Sequence, residues 1–200
     1  MEVVLASQSP RRRALLEQIG FLKFAVRPAL GEERVDSALS PSQLVEALSR
    51  QKALEVRAAA SDGTLIIAAD TVVALDAAVL GKPGSPLDAA RMLRLLSDRE
   101  HTVYTGLTVC RGCNIITEHE GTKVRFRPLT EDEIARYIAT GEPMDKAGAY
   151  GIQGYGGLFV SSICGDYFNV VGLPICRLGR ILTRFGVDVS DQWTKEDKLQ

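Results

Sequence analysis

The sequence predicts a mixed α/β fold, a substantial sheet with helices packed on it. Three observations carry this. Strand-like and helix-like segments alternate through the first part of the chain. One run, TLIIAAD (64–70), is apolar on both faces, which suits a central strand covered by helices. Residues 101–127 then switch to strand-like patterning.

The elements follow in order. VVLA (3–6) reads as a short buried strand. Ser9 suits an N-cap and Pro10 the first helical position, so a helix is expected over 10–19, stopped by Gly20. A strand is expected near Phe24 to Arg27. Ser40 and Gln43 make a capping box for a helix that opens at Pro41 and runs to about Ala59. Asp70 is expected to end the strand LIIAA, and VVALD (72–76) with AVLGK (78–82) to form a hairpin-like pair. Ser85 caps a third helix with Pro86 in its first turn. HTVYTGLTVC, NIITEHE and TKVRFRP read as strands, with R-G-C-N (111–114) as a turn. Val124 and Phe126 alternate with Lys123, Arg125 and Arg127, which predicts one wet face. Thr130 and Glu133 form a second capping box, for a helix ending near Gly141. The glycine-rich stretch GAYGIQGYGGL leads into LFVSSI and YFNVVG, both expected as strands. A last helix spans Pro174 to Gly186. The expected organisation is one domain over 1–188 and a polar, loose tail over 189–200.

Composition narrows the function. Of 200 residues, 46% are apolar and 24% charged, ordinary for a globular protein. Twenty-four basic residues against 25 acidic ones give a net charge of −1, so bulk attraction to a nucleic-acid polymer is not expected. No apolar run reaches membrane-spanning length. The chain opens directly on a strand-like segment without a signal-peptide pattern, and a cytoplasmic location is expected. Cys110 and Cys113 form a lone C-x-x-C with no second pair, which matches no common zinc spacing. The cysteines are expected to be reduced.

The candidate chemistry begins with SQSPRRR (7–13). It puts Arg11, Arg12 and Arg13 in a first helical turn, where the dipole favours anions. A phosphate there would satisfy both the arginines and the free amides; the alternative is three solvated, salt-screened cations. Asp70, after an apolar strand, could bind a metal or take a proton from water, or merely cap a turn. Lys52 falls in the apolar stripe of Leu44, Val45, Leu48 and Val56, where it either snorkels or meets an anion in a pocket. Lys82 sits between Gly81 and Pro83, and Glu32 and Glu33 in a loop. Together these propose a phosphate pocket with Arg12, Lys52 and Lys82 as cations and Glu33 and Asp70 as candidates for a divalent metal.

A-S-Q-S-P-R-R (6–12), Q-K-A (51–53), A-D-T-V-V (69–73), G-K-P (81–83), H-T-V-Y-T-G (101–106) and G-E-P-M-D-K-A-G-A-Y-G-I-Q-G (141–154) resemble the Maf family of nucleoside triphosphate pyrophosphatases. The resemblance implies a mixed α/β fold similar to inosine triphosphate pyrophosphatases, with an elongated sheet and a central cleft. It implies a cytoplasmic homodimer that uses Mg²⁺ or Mn²⁺ to split nucleoside triphosphates into monophosphate and pyrophosphate. By motif, Asp70 matches the catalytic carboxylate, and Ser7, Arg12, Glu33, Lys52 and Lys82 match polar pocket residues. Arg11, Thr71 and Gln153 agree with the branch that acts on dTTP and UTP; the 7-methyl-GTP branch carries Trp, Gln and Glu. A glutamine amide can answer the N–H beside C=O of uracil or thymine. The expected reaction is metal-assisted attack of water on the α-phosphorus, with Glu33 and Asp70 as metal ligands and Asp70 as general base, ligand or both. The rival readings are the same chemistry on 7-methyl-GTP or on modified pyrimidine nucleotides, or a nucleotide-binding regulator of septum formation without turnover.

Overall fold

The computed structural model describes residues 1–21, 23–32, 38–76 and 78–193. Among these, seven strands join one mixed sheet. Its axis is β3 (Leu65–Leu75). β1 (Val3–Leu5) runs parallel to the start of β3, pairing Val3 with Leu65 and Leu5 with Ile67, and β2 (Ala25–Val26) runs parallel outside β1. β4 (Ala78–Leu80) folds back antiparallel on the end of β3, pairing Leu80 with Val73. On the opposite edge, β5 (Glu100–Arg111), β6 (Asn114–Phe126) and β7 (Val160–Cys164) follow as antiparallel neighbours.

The structure corrects four sequence expectations. TLIIAAD and VVALD are one strand, so Asp70 lies inside β3 rather than at its end. What ends there is the parallel partner: β1 leaves at Ile67 and β4 arrives at Val73. Likewise NIITEHE and TKVRFRP are one strand, β6, continuous through Gly121, which gives room to the ring of Tyr104 opposite it. YFNVVG is not a strand but α5 (Tyr167–Val171). Asp166 caps it by accepting from the Phe168 N–H, and Gly172 closes it at φ 119°, a conformation glycine adopts without strain. LFVSSI is strand only from Val160; Leu158 and Phe159 belong to a 3₁₀ turn, Tyr155–Phe159.

The helices were more legible. α1 (Pro10–Gln18), α2 (Pro41–Ala58), α3 (Pro86–Leu96) and α4 (Glu131–Ala139) start where the caps predict, both capping boxes form, and α6 (Ile175–Arg184) follows Pro174 without a side-chain cap. Side chains alternate along β3, so its two faces meet different helices. Leu65, Ile67 and Ala69 pack with α1 and α6 through Leu15, Leu16, Leu178 and Ile181. Farther along the same face, Val73 and Leu75 pack with α3 and α4 around Phe126, Tyr150 and Phe159. Ile152 touches both of these cores. The other face, Ile66, Ala68 and Val72, is covered by α2. That helix lies so close that a Cβ at Gly106 would sit 2.0 Å from the Val45 carbonyl oxygen, which only glycine permits. After α6, a 3₁₀ turn (Val189–Gln192) precedes Trp193, whose indole N–H donates to the Ile19 carbonyl at 2.9 Å. Among the described residues no helix is long and apolar enough to cross a membrane.

Candidate active site

Among the described residues, 68–72 of β3 have a strand partner on the β5 side only. A cleft of about 940 Å³ opens over this interval, and ligands in α/β sheets gather at such points where strand order changes. Two adjacent residues of β3 face it from opposite sides of the sheet. Asp70 is on the α2 face and meets Lys52, its Oδ1 accepting from the ammonium. Their side chains are only 12% and 19% exposed, so Lys52 does not snorkel past the core but points into the cleft. Oδ2 of Asp70 has no hydrogen-bond partner among the described residues.

Thr71 is on the other face and meets Arg12. Among the described residues the guanidinium donates to three oxygens: Nε to the Gly172 carbonyl at 2.8 Å, Nη1 to Ser7 Oγ at 3.1 Å, and Nη2 to Thr71 Oγ1 at 3.0 Å. Thr71 in turn shares a hydrogen bond with Thr105 Oγ1, which donates to the Asn169 carbonyl. Asn169 is buried, and its amide donates to Val103 O and Thr122 Oγ1. Arg12 is thus oriented by β1, β3 and α5 together, and its position follows from the helix start that Ser9 and Pro10 impose. α1 has no acidic residue in its first turn. Arg11 and Arg12 line the cleft at this positive helix end, which an anion would complement, whereas Arg13 is exposed and pairs with Glu17 at 2.8 Å, so the expected cluster of three arginines is two.

The far wall carries the glycine-rich segment. Arg11 donates to Asp145 at 3.1 Å, and Lys146 donates to the same carboxylate at 2.6 Å. Burial works against the charge on Asp145, but these two cations outweigh it and hold the carboxyl below its ordinary range. Glu142 behaves likewise: burial is outweighed by the N–H groups of Gly156 and Tyr155, the Tyr137 hydroxyl and nearby Lys146. Burial pushes the Tyr137 phenol up. Lys82 and Gln153 also line the cleft; both are exposed and have no hydrogen-bond partner among the described residues. Beneath them Tyr150 bonds His101 Nε2 at 2.9 Å, and burial lowers the His101 pKa to about 4.

The structure therefore brings Ser7, Arg11, Arg12, Lys52, Asp70, Thr71, Lys82 and Gln153 to one cleft. Glu33 lies outside the described residues. The preceding loop is fastened to α2: Glu55 accepts from the Leu30 and Gly31 N–H groups, and Gln51 donates to the Glu32 carbonyl at 2.6 Å. Among the described residues no three His, Cys, Asp or Glu side chains converge as a metal cluster. Sequence reasoning missed Thr105, Asn169, Tyr137 and Glu142. The last had a signal: a carboxylate beside a glycine-rich run whose N–H groups need acceptors.

The family model described as Maf-like protein matches residues 2–185. A dTTP/UTP pyrophosphatase from Moorella thermoacetica is 54% identical over 94% of this chain and 97% of its own. One from Symbiobacterium thermophilum is 47% identical over 94% and 96%, and one from Bacillus pumilus 48% over 93% and 97%. A solved nucleoside-triphosphatase / dITP/XTP pyrophosphatase from Mycobacterium abscessus aligns over 92% of this chain and 97% of its own, at 14% identity and a TM-score of 0.44, too slight a likeness to build on. With the family match running through every motif that lines the cleft, the chain belongs to the Maf family.

Proposed function

We propose that this cleft hydrolyses nucleoside triphosphates between the α and β phosphates, with dTTP and UTP as preferred substrates. The observation that carries the reading is the meeting of Arg12 and Asp70 in one cleft, from opposite faces of β3, in a chain whose relatives are named dTTP/UTP pyrophosphatases. A triphosphate tail is a dense anion. Arg12, Lys52, Lys82 and the positive end of α1 complement it and stabilise the charge that grows on departing pyrophosphate. Lys52 holds Asp70 by one oxygen, and the other is available to take a proton from water. The water oxygen bonds to the α-phosphorus as the bond to the bridging oxygen breaks, and pyrophosphate leaves.

The donor set suits a hard divalent cation, Mg²⁺ or Mn²⁺. Carboxylates of Asp70 and Glu33 would hold it beside the substrate's own phosphate oxygens. Bound there, it would neutralise phosphate charge and orient water. Gln153 reads the base through its amide, with Arg11 beside it. Thr71 acts through Arg12, which it orients. The protein is taken to work as a cytoplasmic homodimer.

The test is pyrophosphate release from dTTP, UTP, CTP, GTP, ATP and 7-methyl-GTP, with Mg²⁺, Mn²⁺ or EDTA. Metal-dependent turnover is expected, with kcat/KM for dTTP and UTP at least about tenfold above the others, because a base with a mismatched edge leaves the site's hydrogen-bonding groups unpaired. Binding without metal-dependent turnover, or a preference for 7-methyl-GTP, would reject the proposal.

A further inference from the structure

We infer that Glu142, with Tyr137, is a positioning residue that sets base preference by holding the 151–156 segment, and so Gln153, in one conformation. This rests on the reading of Gln153 as the group that faces the base. The segment has N–H groups that its own short turns do not satisfy. Tyr137 Oη accepts from the Gly151 N–H at 3.0 Å and donates to Glu142 Oε1 at 2.9 Å. Oε1 also accepts from the Gly156 N–H at 3.2 Å, and Oε2 from the Tyr155 N–H at 3.0 Å.

Three donors converge on Glu142, one hydroxyl and two amides. A carboxylate presents only acceptors and satisfies all three. A glutamine must turn its NH₂ toward one of them and leave that donor without a partner. The backbone wraps closely around these side chains. A Cβ at Gly154 would lie 2.3 Å from Glu142 Oε2, and one at Gly156 would lie 2.7 Å from Tyr137 Oη. The glycines therefore serve the clamp as well as the turn. The clamp is tied to the rest of the cleft by Lys146, which donates to the Glu142 carbonyl and to Asp145, the partner of Arg11. Among the described residues the side chains of Glu142 and Tyr137 bond each other and the 151–156 backbone, so the clamp bears on the base end of the cleft.

The experiment compares Glu142→Gln, Tyr137→Phe and Gln153→Ala. CTP is the reference nucleotide, because cytosine presents a donor and acceptor opposite to those of uracil. Glu142→Gln is expected to lower the UTP-to-CTP ratio of kcat/KM at least about fivefold, mainly by raising the KM for UTP. Inhibition by inorganic tripolyphosphate should stay within about twofold, since the phosphate end is untouched. Amide exchange at Tyr155 and Gly156 should accelerate at least about tenfold. Tyr137→Phe should shift the ratio in the same direction, and it decides the matter if Glu142→Gln does not fold. An equal loss for both nucleotides, or an unchanged ratio, overturns the assignment. If Gln153→Ala lowers the ratio while the other two variants do not, the clamp alone is wrong. If Gln153→Ala leaves the ratio unchanged, the base-facing reading falls and the clamp with it.

Discussion

Asp70, Lys52 and Arg12 project from β3, α2 and α1, whereas Gln153 rides on a run of glycines and 3₁₀ turns. At the first end, each side chain is aimed by a regular element and then held by neighbours. Arg12 is fixed by three oxygens from three parts of the chain, and Asp70 by the lysine that faces it. At the other end, the backbone is held by side chains: one carboxylate and one phenol gather the N–H groups of the loop. The difference matches what each end must recognise. Every nucleoside triphosphate carries the same tail, so a rigid site serves them all. Bases differ in their hydrogen-bonding edges, and a loop can be re-aimed without disturbing the sheet.

The largest effect should come from the rigid end. Asp70→Asn keeps an acceptor for Lys52, so the fold should persist, but it removes the group that takes the proton. Turnover should fall by about 10³-fold, within the range for loss of a general base, and equally for UTP and CTP. Pyrophosphate release and circular dichroism on the same preparation check both halves. Retained turnover would mean that Asp70 has no such role, and a loss confined to one base would erase the contrast between the ends.

A smaller effect should come from beneath the base end. His101 is buried under Tyr150, with Phe126 edge-on to its ring and its Nδ1 without a hydrogen-bond partner among the described residues. Burial lowers its pKa to about 4, and Glu100 only partly opposes this. The unfolded chain, with a histidine pKa near ~6.5, therefore binds the proton first as pH falls. The stability at stake is whole above about pH 6.5, declines toward pH 4 and is flat below, a loss of up to about 3 kcal/mol. Urea midpoints for the parent and His101→Gln should diverge in slope across this window. Parallel curves would show that His101 is not the titrating group.

The same contrast governed how much could be read from sequence. The cations of the rigid end were legible because caps are local: Ser9 and Pro10 place Arg12, and the Ser40–Gln43 box sets the register that puts Lys52 in the α2 stripe. Asp70 was found for a reason that needed correcting. The strand does not stop there; its parallel neighbour does, and pairing between distant segments is not written in the run itself. YFNVVG has the aromatic and branched residues of a strand, yet Asp166, Gly172 and the burial of Asn169 against β5 and β6 make it a helix. Glu142 reads like any acid in a polar stretch, because two of the three donors that it gathers are backbone amides, which leave no mark in the side-chain pattern.

The central claim is that water attacks the α-phosphorus of a triphosphate lying between Arg12 and Asp70. It is tested most directly by hydrolysing UTP with the metal-supplied enzyme in H₂¹⁸O and locating the label by mass spectrometry. The account predicts UMP and pyrophosphate as products, with ¹⁸O in UMP alone. Label in pyrophosphate, or release of orthophosphate in its place, would contradict it.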